Sequence, residues 1–206
     1  PELLRTFFPT WGLAEHQVPA RLRPAHDRLL LAEADLQRAC DDAGLPYALV
    51  EDLTDRPAGF RIQREPLDGA GESFSRTGTR LVSRLLGDLD QPRLGRATYH
   101  QQPNLWTHFL ADHAVTFSAL PLGPDRTLVR TTWLVHEDAV EGVDYDVAEL
   151  TEVWRRTNEQ DAAFVARTQA GVADPAYEPG PYTEGEAQVD AFVRWYVARI
   201  REGASS

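Results

Sequence analysis

With 206 residues, of which 42% are hydrophobic, the chain is long enough to bury a sizeable core as one large domain or two small ones. Its net charge of −11 excludes recruitment to a nucleic-acid backbone or an anionic membrane surface, both of which would repel it. No apolar run approaches the ~18 residues of a membrane span and no signal-peptide pattern opens the chain; one cysteine, Cys40, excludes an internal disulfide framework or an all-cysteine cluster, and a cytoplasmic protein is expected.

Residues 1–25 read as irregular, broken by Pro9, Gly12, Pro19 and Pro24. There is no methionine, so a chain opening at Pro1 is expected to be processed or part of something longer. The stretch HDRLLLAEADLQRACDDA, residues 26–43, repeats Leu29, Leu36 and Cys40 at helical spacing and stops at Gly44 and Pro46, which predicts a helix with an inert, partly buried thiol. Between 47 and 100, FRIQREPL and ESFSR read as short strands and LVSRLLG as a helical patch.

PNLWTHFLA, AVTFSALPL and TLVRTTWLVH then form three β-rich runs divided by Asp112-His113 and by Gly123-Pro124-Asp125, an antiparallel meander. Val115, Phe117 and Ala119 share a face of the second run; Val129, Thr131, Trp133 and Val135 of the third should face inward, opposite Arg130 and Thr132. A long helix follows over about 146–170, opened by Asp146 with Glu149 and stopped near Gly171, with Glu152 and Arg156 paired on its wet side. A proline-rich crossing, DPAYEPGPY, leads to a last helix over about 184–202. Strands followed by a long helix laid across one sheet make an α+β fold, read as a single domain over 1–206.

GxGxxG, GxxxxGK[ST], HExxH, GxSxG and CxxC are all absent, so phosphate-cradling and covalent-nucleophile chemistry has no local support. His108 and His113 flank Asp112, but on a strand entering a tight turn they should point apart, and they read as a strand histidine and a turn histidine. His16, His26, His100 and His136 are isolated and read as structural. Asp161 stands out. It shares the predicted buried stripe of the long helix with Trp154, Asn158 and Val165, where an unpartnered carboxylate would cost on the order of several kcal/mol. Such a group needs a metal or an arginine such as Arg130, unless the stripe is rotated by one position.

Taken together, PNLWTHFLADHAVTFSALPLGPDRTLVRTTWLVHED, EGVDYDV and LTEVWRRTNEQD resemble the C-terminal catalytic domain of Rieske-type non-haem iron oxygenase α subunits, nearest to the choline- and glycine-betaine-type monooxygenases. The resemblance runs from Pro1 to about Arg201 and is strongest from Pro103 to Tyr182. It implies a helix-grip (Bet v 1-like) fold, in which an antiparallel sheet wraps around the long C-terminal helix. It also implies a mononuclear Fe(II) held by two histidines and a carboxylate, the carboxylate matching Asp161. In the family both histidines lie in a segment that ends where this chain begins, at PELL. The resemblance therefore implies that the histidine ligands and the [2Fe–2S] Rieske domain are absent here and that the piece is inactive alone. The intact protein would use O₂ and electrons from a flavin- or iron–sulfur-containing reductase, as a homotrimer, to hydroxylate or demethylate an aromatic or quaternary-amine substrate. Trp106, Phe109, Phe117, Trp133 and Asn158 are the candidate substrate-pocket residues. The alternative function is a non-redox helix-grip module that binds an apolar small ligand.

Overall fold

The computed structural model describes residues 20, 23–47, 50–52, 59–67, 71–183 and 186–203; most of the irregular opening expected over 1–25, and the expected start of the last helix at 184, lie outside them. In chain order the elements are α1 (Arg23–Asp42), β1 (Val50–Asp52), β2 (Phe60–Glu65), β3 (Arg96–Gln101), β4 (Leu105–Phe109), β5 (Ala114–Gly123), β6 (Arg126–Leu134), α2 (Val147–Val172) and α3 (Ala187–Gly203). The strands form one six-stranded sheet in sequence order, every pair antiparallel. The expected meander of three runs is present as β4–β6, and the α+β class holds.

Register assigns the two faces of the sheet. Arg61, His100, Trp106, Phe117 and Thr131 stand across the strands in one row, and Gln63, Thr98, His108, Val115 and Trp133 in the next row on the same side. Helix α2 lies on this face: Trp154 stacks on His108 with centroids 4.8 Å apart, and Asn158 Nδ2 donates to Thr131 Oγ1 at 2.9 Å. The inward set expected for β6 is thus correct at Thr131 and Trp133, while Val129, near the hairpin tip, is 51% exposed. Helix α1 serves the opposite side. Its Leu36 and Cys40 are buried, and burial pushes the Cys40 thiol up despite the opposing Arg64 charge.

Gly95, which leads into β3, has φ +61, and a Cβ there would stand 2.3 Å from the Glu65 carbonyl oxygen and 2.8 Å from Leu36 Cδ2. Only glycine lets α1 and the β2–β3 pair approach so closely.

Two local expectations fail. ESFSR is not a strand and LVSRLLG is not a helix; both lie in an irregular stretch over 71–95. In this stretch the Leu81 and Val82 amides bond to the Asp112 carboxylate at 2.9 and 3.3 Å, a long-range anchor with no helix following it. The β3 strand, which the sequence reading missed, alternates basic or polar residues with Ala97 and Tyr99. At the α2 start Asp146 caps the helix as expected, accepting from the Glu149 amide at 2.9 Å, but the helix runs past Gly171 to a cap at Ala173.

Candidate functional site

On the α2 side of the sheet, β2 and β3 extend beyond the helix and leave a cavity of ≈ 240 Å³. Arg61, Gln63 and Glu65 line it from β2, Arg96, Thr98 and His100 from β3, and His108 from β4. Every second residue of β2 and β3 therefore turns a polar group inward. Arg96 Nε donates to Glu65 Oε2 at 2.6 Å, and Arg61 Nη2 donates to Gln63 Oε1 at 2.7 Å. Burial, followed by the charge of Arg96, lowers the His108 pKa to about 3, so its imidazole is neutral at ordinary pH. His100 is lowered for the same reasons, with Arg61 as the neighbouring charge.

Beyond His108, outside the cavity lining, the packing against the helix is aromatic. Phe74 meets Trp154 edge-on at 5.4 Å and His108 at 5.8 Å, and Phe117 contacts both Trp154 and His108. Trp106 stacks on Phe117 at 5.3 Å, and Arg96 lies over the Phe74 ring at 5.7 Å.

Phe74 is positioned from below. Its neighbour Ser73 donates to Asp112 Oδ1 at 3.0 Å, and His113 Nδ1 lies 2.9 Å from the same oxygen. Asp112 and His113 are fully buried in the β4–β5 turn. Burial alone would push the Asp112 carboxyl up, yet the His113 hydrogen bond and charge, the Leu81 amide and the Ser73 hydroxyl together hold it below its usual value. His108 and His113 thus occupy unlike surroundings, as a strand and a turn histidine.

Among the residues singled out from sequence, Trp106, Phe117, Trp133 and Asn158 fall on the α2 side of the sheet. Phe109 does not: it projects from the opposite face and is 43% exposed. Asp161 requires a correction. It lies on the same side of α2 as Trp154 and Asn158, seven and three residues before it, but it is exposed, not buried. The helix has 26 residues, about 39 Å in length, and outlasts the sheet; every residue from 159 to 172 is exposed, including Phe164 at 63% and Val165 at 62%. Trp154 and Asn158 meet the sheet, and beyond them no contact from the stripe to the sheet is seen among the described residues. Arg130, considered as its counter-ion, faces the other side of the sheet.

The sequence reading missed Phe74 and the polar set of β2 and β3. The signal for the latter was available as R-x-Q-x-E and R-x-T-x-H, a period of two with the polar face turned inward.

A family model described as ring hydroxylating alpha subunit (catalytic domain) matches residues 35–202. The chain belongs to this family. It is 44% identical over 137 residues to the glycine betaine monooxygenase oxygenase subunit of Chromohalobacter salexigens, an alignment covering 66% of this chain and 31% of that protein. It is 43% identical over 141 residues to the subunit of the same name from Pseudomonas aeruginosa, covering 68% and 33%. The chain spans about a third of the length of the curated relatives it matches.

For a ring-hydroxylating α subunit the question is iron. Among the described residues no three of His, Cys, Asp and Glu converge where a metal could sit, so these residues do not by themselves fit a complete mononuclear site. What this face offers is a carboxylate on α2, an aromatic cluster around His108 and a polar cavity. Among the described residues no helix is long and apolar enough to cross a membrane.

Proposed function

We propose that the chain is the catalytic part of a Rieske-type non-haem iron oxygenase that hydroxylates or demethylates a small organic substrate, foremost a quaternary amine such as glycine betaine. The observation that carries this reading is the 43–44% identity to glycine betaine monooxygenase oxygenase subunits. O₂ and reductase-supplied electrons are the co-substrates, and the assembled enzyme is a cytoplasmic homotrimer. We assign Asp161 as the carboxylate ligand of Fe(II), with the remaining ligands and the [2Fe–2S] cluster supplied from outside the described residues. Residues 1–206 act as one domain, with the sheet gripping α2 and a pocket between them. In that pocket the neutral His108 offers hydrogen bonding without a charge. The polar lining of the cavity speaks against the alternative of a module for an apolar ligand.

The test uses the complete gene product with its reductase. Glycine betaine should stimulate O₂ uptake and release formaldehyde, since demethylation of a quaternary methyl group frees one carbon. Asp161→Ala should lose bound iron and turnover by more than about 100-fold, in line with loss of a metal ligand. No substrate-dependent O₂ uptake in the wild type, or full iron content in Asp161→Ala, would sink the reading.

A further inference from the structure

The β5–β6 hairpin reaches past the sheet that carries it. Strand β5 is registered against β4 only as far as Ser118, so among the described residues 120–128 form an arm of two strands registered on each other. A two-stranded ribbon is marginal in water by itself, yet this one holds Leu120 and Leu122 at 54% exposure and Leu128 at 45%. On the face turned away from α2, Leu120 and Leu128 line a recess of ≈ 250 Å³ together with Asn104, Ser118 and the exposed Arg130.

The far end of β6 leads to a second exposed apolar patch. The strand has nine residues, about 30 Å at 3.3 Å per residue, and the chain leaves it into a loop that shows Val140 at 54% and Val143 at 80% exposure. That loop is braced. The Asp144 carboxylate accepts from the Val140 amide at 2.9 Å and from Arg84 Nε at 3.3 Å, and the Gly142 amide donates to the Tyr145 carbonyl at 2.9 Å. Val143 is therefore held out from the surface.

The two patches are opposite in charge. The hairpin carries Arg126 and Arg130 against Asp125, in a protein whose net charge is −11. Residues 135–149 carry only acids, Glu137, Asp138, Glu141, Asp144, Asp146 and Glu149, with no arginine. Asp144 braces the loop and Asp146 caps α2, which leaves Glu137, Asp138 and Glu141 exposed beside the valines. Patches at opposite ends of β6 cannot meet within one copy. Between copies they can, and a contact between two unlike surfaces closes into a ring when the rotation relating the copies allows it.

We propose that the β5–β6 hairpin docks on a second copy of this chain: Val143 of the neighbouring copy seats in the recess, and its Glu141 meets Arg130. This deepens the homotrimer of the proposed function and rests on that reading for the number of copies.

Sedimentation velocity of the complete gene product over a range of concentrations tests the contact. The wild type should associate, and about 1 M salt should weaken it by screening charges at the rim. Arg126→Glu with Arg130→Glu should weaken association by about 10-fold or more, as should Glu137→Arg with Glu141→Arg. All four changes in one chain should recover most of the loss, because they restore opposite charge across the contact. That combined variant also controls for folding, since reversals that merely damaged the fold would add rather than cancel. Val143→Asp should weaken association to a similar extent without touching the hairpin. A monomeric wild type, unchanged association in both charge reversals or in Val143→Asp, or no recovery in the combined variant would each overturn the proposal. Association is read without turnover. A monomer that consumes O₂ with glycine betaine therefore sinks this contact alone, and an assembly that behaves as expected but consumes no O₂ sinks the oxygenase reading alone.

Discussion

Replacing Asp112 by asparagine tests how the irregular stretch over 71–95 is held. The carboxylate is completely buried and accepts from Ser73 and His113 on one oxygen and from the Leu81 and Val82 amides on the other. Asparagine keeps one acceptor oxygen and puts an NH₂ donor in place of the second. With the NH₂ toward the backbone, donor faces donor and two amides are stranded; with it toward Ser73 and His113, the hydroxyl must turn and the imidazole must change tautomer to accept. The second orientation still gives up the charge of the acceptor, so Asp112→Asn should lose about 1.5–3 kcal/mol, a sizeable part of the roughly 5–15 kcal/mol that holds a domain together. Urea denaturation at pH 7, followed by tryptophan fluorescence, measures the loss directly. Ser73→Ala should cost about 1 kcal/mol alone and far less in the Asp112→Asn background, because both changes break one network. A loss below about 1 kcal/mol for Asp112→Asn would show that the carboxylate does not hold the stretch.

His108 gives a pH dependence of definite sign. Its folded pKa of about 3 lies below its ordinary 6.5, so between these values the unfolded chain binds the proton and the native one does not. Stability is fully in place above pH 6.5 and should fall by about 2 kcal/mol by pH 5, a slope that His108→Gln removes; equal urea midpoints for the wild type at pH 7 and 5 would refute it. Gly95→Ala forces a left-handed backbone on alanine and drives its Cβ into the Glu65 carbonyl, for a loss of about 3 kcal/mol and a thermal midpoint lower by about 6–12 °C; an unchanged midpoint would mean that α1 does not close on the β2–β3 pair.

The elements legible in the sequence were those whose signal is local. The β4–β6 meander, the Asp146 cap and the direction of the Trp154–Asn158–Asp161 stripe all follow from spacing along a few residues. The stretch over 71–95 was not legible because it is anchored through Ser73 and Leu81 to Asp112, a residue more than thirty positions away. The polar stripes of β2 and β3 are hard to read because strand alternation ordinarily turns apolar residues inward, and this sheet turns arginine, glutamine and threonine inward. Asp161 was placed on the correct side of α2 but at the wrong depth, since periodicity gives direction around a helix axis and says nothing of where the sheet beneath it ends.

The reach of the Asp112 carboxylate sets an order of events as the chain folds. Its contacts to Ser73 and Leu81 span 39 and 31 residues, whereas the β4–β5 turn and the β5–β6 hairpin close within a few. Closing the longer loop before the turn exists would spend chain entropy on an acceptor not yet held in place. The meander therefore forms early and the 71–95 stretch docks late, carrying Phe74 into contact with Trp154 as a final act of assembly. In a folding experiment, substitutions within β5 should slow folding, while Ser73→Ala should leave that rate untouched and hasten unfolding instead.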